Sequence, residues 1–398
     1  MTDKAAIPPI WILIAATATG PLALNIFVPS MPGLVGTFDT DYATVQLGLT
    51  LYLISIAFAQ LVYGPASDRF GRRPALLVGL AIYAGASALC ALAWSIESLI
   101  AGRMLQAIGG CAGMVLGRAI VRDVYERDRA AGAIAVITMA MAVAPAVAPA
   151  LGGYLDSAFG WRASFAVPAL VGLMVLASAS WRLTETNLTP IPSIDVMAML
   201  RNYGSLLKSR AFLGYAGNTA CSVGAFFSFL AGAPYVLIEI LDRGPEEYGF
   251  YFVLISVGYM GGNFAASRLS TRFGVDRLIP VGVGVSMLGA ITGVGCVIAG
   301  IVTPASVFLP MGLVAIGNGL SQPNGIAAAI SVNPRIAGAA SGLMGFGQML
   351  AGAAFTQIVG FFQNETDHSA MAVMILIATV GSLSFYLLAR GDRTTPAA

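Results

Sequence analysis

Twelve long apolar runs, each separated from the next by a short polar or turn-forming stretch, constrain this chain more than any other feature of it. They cover residues 9–32, 43–63, 75–94, 98–121, 131–153, 162–181, 211–237, 248–267, 278–300, 305–330, 336–362 and 370–389. A helix rises ~1.5 Å per residue, so about 20 apolar residues cross the ~30 Å hydrocarbon core of a bilayer. In lipid, every backbone N–H and C=O must be bonded within its own helix or within a closed barrel. Runs this long, rich in Gly and Ala, fit helices, whereas barrel strands read as alternating segments of about 10 residues. Composition agrees: 57% of the residues are hydrophobic and only 10% charged, against roughly 25% charged in a soluble domain. The expected fold class is all-α integral membrane with twelve transmembrane helices. The first run is read as a span and not a signal peptide, since it is longer than an h-region, Lys4 is offset by Asp3, and eleven spans follow.

Basic residues near span ends resist translocation and so set orientation. The even-numbered loops and the two tails hold seventeen of the 21 Lys and Arg, including Arg69, Arg72, Arg73, Arg122, Arg272 and Arg390. The odd-numbered loops hold only Arg162 and Arg243, and Arg103 and Arg118 lie inside the fourth span. Both termini of this multi-pass chain are therefore expected in the cytoplasm. The net charge of +2 reflects this asymmetry and implies no nucleic-acid partner, since no soluble segment interleaves basic and aromatic residues. Cys90, Cys111, Cys221 and Cys296 all fall in apolar spans without metal-ligand spacing and read as buried small hydrophobes.

The longest polar connection, residues 183–210, divides the spans six and six. The expected organisation is an N-terminal six-helix bundle at 1–182, a cytoplasmic linker at 183–210 and a C-terminal six-helix bundle at 211–398. Residues 194–207 of the linker fit either a short amphipathic helix on the membrane surface or a loop. A weak internal repeat supports the division. Arg69, Phe70 and Gly71 recur as Arg272, Phe273 and Gly274, 203 residues on, and "AIGG" at 107–110 is echoed by "AIGN" at 315–318, 208 residues on. Two pseudo-symmetric bundles of this kind normally enclose a site at their interface near the membrane midplane.

The first inner loop, "GPASDRFGRR" at 64–73, is unusually charged for its surroundings. Gly64 and Gly71 would permit tight turns, and Arg69, Arg72 and Arg73 would anchor the loop in the cytoplasm. Anchoring leaves Asp68 unexplained. An acid there could sit at the N-terminus of a neighbouring helix, where the dipole favours a carboxylate by ~0.3–1 kcal/mol, and Arg72 could reach Asp123 at the end of the fourth span. Contacts of that kind form a latch that holds one conformation and breaks in another. An ordinary charged loop is the simpler reading of the same residues.

These residues also carry a resemblance. "GPASDRFGRR" resembles the loop 2–3 signature of the major facilitator superfamily. "GRMLQAIGG" at 102–110 is similar to the family's span-four motif, with Arg103, Gln106 and Gly109 in place. "APAVAPALGG" at 144–153 resembles its span-five antiporter motif, keeping Pro149, Gly152 and Gly153 but with Ala144 and Ala148 where glycines are usual. "GPLALNIFVPSMP" at 20–32 and "GRAIVRDVY" at 117–125 look like the Bcr/CflA subgroup of multidrug exporters. The resemblance implies two six-helix bundles working by alternating access. It further implies export of drug-like or metabolite molecules against protons as the coupling ion, antibiotic resistance as an outcome, and the fifth span as a gating helix that packs closely and bends near Pro149.

One position departs from the subgroup. Where relatives typically carry an aspartate, this chain has Asn25, which hydrogen-bonds but does not titrate. None of the nineteen acids falls inside the twelve runs. Coupling then uses a marginal carboxylate (Asp39, Asp41, Asp156 or Glu239 outside, Asp68 or Asp123 inside), or is absent, or Asn25 is an engineered replacement that disables the carrier. The lone His368 reads as a solvated surface residue. Arg103 is an intramembrane cation with no carboxylate in the spans, able to meet a substrate carboxylate, a carboxylate from the mouth or backbone carbonyls. Arg118, nearer the cytoplasmic end, can snorkel outward or join the latch. Candidate cavity liners are Gln106, Asn218, Gln322, Asn324 and Gln348, along with Gln46, Gln60, Asn263 and Asn318, each equally readable as a helix-to-helix hydrogen bond. Tyr52, Phe226, Phe227, Tyr251 and Tyr259 could stack on a planar substrate or simply pack.

No Gly-x-Ser-x-Gly, His-Glu-x-x-His or Walker motif occurs, and one histidine leaves no material for most triads, so an enzyme is not expected. No cofactor or metal is expected, and the partners are a small-molecule substrate, protons and membrane lipid, with the chain acting as a monomer. A passive facilitator or importer of a neutral or anionic small molecule, without proton coupling, is the rival reading.

Overall fold

The computed structural model describes residues 8–188, 196–363 and 369–391. Lys4, His368, Arg393 and residues 189–195 of the linker lie outside that set. Among the described residues there is no strand, and twelve helical stretches are long and apolar enough to cross a membrane. The chain divides into two compact units, Met1–Ile194 and Asp195–Ala398, the boundary falling inside the connection at 183–210.

The first unit holds α1 (Ile10–Ile26), α2 (Met31–Phe38), α3 (Tyr42–Phe70), α4 (Arg72–Ala91), α5 (Ile96–Val124), α6 (Arg127–Phe159) and α7 (Ala163–Arg182). A 3-10 turn at Val28–Ser30 joins α1 to α2, and the two act as one crossing. The second unit holds α8 (Val196–Leu207), α9 (Arg210–Tyr235), α10 (Pro245–Phe273), α11 (Val275–Ile298), α12 (Pro304–Ser331), α13 (Ala337–Phe362) and α14 (Ser369–Gly391), with a π-helical turn at Val236–Ile240 extending α9. The short helix α8 packs on α9 and α13, burying Leu206 beside Phe212 and Met344.

Local chemistry explains where these helices start and stop. The carboxylate of Asp41 caps α3 by accepting the Thr44 N–H at 2.8 Å, and this bond lowers the Asp41 pKa. Reciprocal capping boxes open α5 (Ser95 with Ser98) and α12 (Thr303 with Ser306). Gly71 ends α3 with φ +99° and Gly274 ends α10 with φ +81°, a left-handed backbone that glycine adopts without strain. Gly64, by contrast, makes no turn. It lies within α3, which continues through Pro65 to Phe70, and its carbonyl accepts the Ser67 hydroxyl.

Packing repeats element for element. In the first unit α1 lies against α5, α6 and α7, while α5 lies against α3 and α4, and α4 against α7; in the second unit α9 lies against α12, α13 and α14, while α12 lies against α10 and α11, and α11 against α14. The closest helix approaches repeat as well. A Cβ on Gly109 would meet the Gly79 carbonyl at 2.6 Å, and a Cβ on Gly282 would meet the Gly317 carbonyl at 2.6 Å.

The helices outrun the apolar runs. The 29 residues of α3 make a rod of ~44 Å, longer than the ~30 Å core. Asp68, Glu97, Asp123, Asp156, Glu239, Glu246, Glu247 and Asp276 therefore lie within membrane-crossing helices, correcting the expectation that the crossings carry no acid. The acids sit near helix ends, where the helix leaves the hydrocarbon.

Candidate functional site

In the first unit the polar centre is Arg103, on the face of α5 turned to α1 and α3. Its side chain is 0% exposed. Nη1 donates to the Ala23 carbonyl of α1 at 2.8 Å and to Gln106 Oε1 at 2.6 Å, one turn along its own helix. Gln106 passes the chain on, donating from Nε2 to the Ser87 hydroxyl of α4 at 2.7 Å. The guanidinium carbon lies 4.1 Å from the Tyr52 ring centre and 4.7 Å from that of Phe27, so its faces are covered by aromatic rings. Nε and Nη2 have no hydrogen-bond partner among the described residues. No carboxylate touches it among the described residues. The outcome is a fixed, desolvated cation held by carbonyl oxygen and π faces, with two donors still open.

Asn25, on the same helix as Ala23, is 1% exposed. Its Nδ2 donates to the Pro21 carbonyl at 2.8 Å and its Oδ1 is unbonded. An acceptor in this position can receive a donor but cannot deliver a proton.

The second unit's amides mostly join helices. Asn218 Nδ2 donates to the Ser382 hydroxyl and carbonyl across to α14, leaving its own Oδ1 unbonded. Gln322 Oε1 accepts the Tyr259 hydroxyl, and Asn324 Oδ1 accepts the Ser270 hydroxyl at 2.7 Å, both tying α12 to α10. Asn318 bridges α9 and α11, donating to the Ser222 carbonyl and accepting from Ser286. Gln348 is half-buried on α13 without a hydrogen bond to a described residue. Phe226 and Phe227 stack edge-on, and Tyr251 packs on Phe308.

The charged loop forms a second cluster. Arg72, the first residue of α4, pairs with Asp68 of α3 across the Gly71 break, donates from Nε to Asp123 Oδ2 at the end of α5 at 2.9 Å, and from Nη1 to the Ser67 hydroxyl at 2.6 Å. The expectation that Asp68 serves the N-terminus of a neighbouring helix is not met within this unit: its carboxylate is engaged by Arg72. Glu185 holds the N-terminus of α4 instead, accepting the backbone N–H groups of Arg72 at 2.8 Å and Arg73 at 3.1 Å. Arg73 reaches back to the carbonyls of Leu183 and Ser180, and Asn187 donates to the Asp68 carbonyl at 2.8 Å. The segment after α7 is thus stitched to the loop after α3. A side chain at Gly71 would strike the Glu185 carboxylate. Arg69 and Arg118 stand outside this cluster: Arg69 lies over the Phe70 ring at 5.2 Å, and Arg118 donates to the Met114 carbonyl of its own helix.

In α6, the helix runs through Pro145 and Pro149 without interruption, and Gly152 meets the Ile26 carbonyl of α1 so closely that a Cβ there would overlap it. Gly153 beside it is buried. Sequence reasoning missed Glu185, Ser67, Ser87 and Phe27, and offered Tyr52 as a stacking ring without placing it on Arg103. The helix-capping habit of acids offered a signal only for Glu185.

The profile of the Major Facilitator Superfamily matches residues 13–356. The chain belongs to that superfamily. This major facilitator is 32% identical to the chloramphenicol resistance protein of Pseudomonas aeruginosa over 90% of its own length and 85% of the relative's. It is 28% identical to the bicyclomycin resistance protein homolog of Haemophilus influenzae, with 92% of each chain covered. Among solved structures, a bacterial homolog to the human lysosomal transporter Spinster, in an inward-facing and unoccupied conformation, shares its fold with a TM-score of 0.78 at 16% identity over 98% of both chains. Like its family, this major facilitator is a transporter and not an enzyme, and it is a multi-pass protein of the inner membrane.

Proposed function

We propose that the chain exports drug-like or small metabolite molecules across the inner membrane by alternating access, in exchange for inward-moving protons. The observation that carries this reading is Arg103, a buried cation without a carboxylate and with two open donors. Such a group receives negative charge, either from a substrate or from a carboxylate that approaches during the cycle. Relatives named for chloramphenicol and bicyclomycin resistance support drug-like cargo.

In this proposal Asn25, Arg103 and Gln106 of the first unit, with Asn218, Gln322, Asn324 and Gln348 of the second, serve substrate and coupling. The cluster of Asp68, Gly71, Arg72, Arg73 and Asp123 is the conformational latch, without Gly64, Arg69 and Arg118, which make none of its contacts, and Pro149, Gly152 and Gly153 belong to the gating helix. The functional organisation is an N-terminal bundle to residue 182, a linker to 210 and a C-terminal bundle beyond, working as a monomer with both termini cytoplasmic.

Asn25 favours a second reading, facilitated diffusion of a neutral or anionic solute, because no titratable group stands at that place. Proteoliposomes with an entrapped pH dye, challenged with amphipathic antibiotics, separate the two. Substrate-dependent proton movement by the chain as it stands supports antiport through another carboxylate. Movement only after Asn25→Asp identifies Asn25 as a silenced carrier. Uptake with no proton movement in either form overturns antiport.

A further inference from the structure

The first unit carries a large apolar groove that neither transport nor the latch uses. It measures ≈ 640 Å³ and opens between α3 and α4, with α5 as its floor. Phe58, Val62 and Phe70 of α3 and Val78 of α4 form its walls, and Met104 and Ile108 of α5 its base. The wall residues are exposed, Val62 by 63% and Phe70 by 66%. The groove exists because α4 packs far more extensively on α5 than on α3, so the two walls part beyond their turn at Gly71. Its lining runs along α3 from Ile54 to Phe70, ~24 Å of helix. That exceeds one leaflet's share of a ~30 Å core.

The charged end of the groove selects among possible occupants. At Phe70 the lining meets Arg69, whose guanidinium lies over the Phe70 ring at 5.2 Å. Of the three arginines in this turn, Arg72 is taken by Asp68 and Asp123, and Arg73 by the carbonyls of Leu183 and Ser180. Arg69 alone of the three has no anionic or carbonyl partner among the described residues. Stacking leaves the N–H edges of a guanidinium free, and those edges match two phosphate oxygens at once.

We propose that this groove binds an anionic phospholipid, one acyl chain lying along Phe58, Val62 and Val78 over the floor of α5, with the phosphate on Arg69. An apolar wall continuous with a single unpaired cation fits an amphiphile with a negative head. Ser55 and Tyr63 are the groove's only polar lining residues among those described, too few for a polar solute, and a neutral oil would leave Arg69 unused.

The test uses the full-length protein in detergent, titrated in native mass spectrometry with dioleoylphosphatidylglycerol and, separately, with dioleoylphosphatidylcholine. One phosphatidylglycerol is expected to bind about tenfold more tightly than phosphatidylcholine. Arg69→Gln is expected to abolish that preference and Arg69→Lys to retain most of it. Val62→Trp, which fills the groove from its exposed wall, is expected to displace both lipids. A phosphatidylglycerol bearing a diazirine on its chain is expected to label α5 at Met104 to Ile108. Equal affinity for the two lipids, an unchanged preference in Arg69→Gln, or labelling confined to other helices overturns the proposal.

Discussion

Arg103 shows how one residue can be both expensive and retained. Insertion scales put an arginine at the helix centre at ~2.5–3.5 kcal/mol unfavourable, an upper figure for Arg103, which lies toward the N-terminal end of α5. Here two hydrogen bonds and two stacked rings offset that cost, and a desolvated cation–π contact contributes ~2 kcal/mol or more. Lysine reproduces the charge but neither the planar stack nor the simultaneous reach to Ala23 and Gln106. Arg103→Lys is therefore expected to fold and insert normally while its transport turnover falls by about tenfold or more, measured as initial rates in proteoliposomes at matched protein density. Wild-type turnover in that variant would mean that only the charge matters, and that the cage of rings is packing. The sequence made Arg103 and Gln106 visible because polar residues stand out in apolar helices. It could not show that Phe27 and Tyr52 cover Arg103, since aromatics in such helices are common and their partners are remote in the chain.

At the scale of elements, the loop between α3 and α4 acts as a clasp. Asp68 and Asp123 bracket Arg72, while Glu185 seals the start of α4. If the clasp holds one state of a cycle, weakening it changes how fast the cycle turns and not how tightly the substrate binds. Asp68→Asn is thus expected to lower turnover by about tenfold with little change in substrate affinity. Equal loss in both quantities, or in neither at normal expression, overturns the latch. The contact of Arg72 with Asp123 was legible because both close charged motifs at span ends, whereas the Asp68 pair with Arg72, four residues on across the Gly71 break, was not, Asp68 being read as a helix-terminus acid. Glu185 was not, because it meets Arg72 across 113 residues, and no local pattern marks a partner at that distance. The length of the helices was likewise hidden: apolar runs report the hydrocarbon core, while the helices continue into the headgroups and carry acids with them.

For the whole molecule, the twelve crossings were legible at once, because span length and loop punctuation follow directly from bilayer thickness, while their two-fold repetition left only a weak trace in sequence. The short echo of Arg69, Phe70 and Gly71 in Arg272, Phe273 and Gly274 proves to be an echo of conformation: both glycines are left-handed, and both arginines lie over the following ring, at 5.2 and 5.4 Å. The distribution of basic residues predicts cytoplasmic termini. A fluorescent protein fused after Ala398 should mature and an alkaline phosphatase fused there should stay inactive; active phosphatase with a dark fluorescent fusion reverses the orientation. The glycine contacts of the two units carry a last consequence, for heredity. Gly79 faces Gly109 and Gly282 faces Gly317 so closely that no β-carbon fits without moving a backbone. Every single-base change in a glycine codon that alters the residue adds at least that carbon or halts translation. These four codons therefore drift only among their synonyms, since each residue-changing neighbour one base away forces a backbone or β-carbon to move.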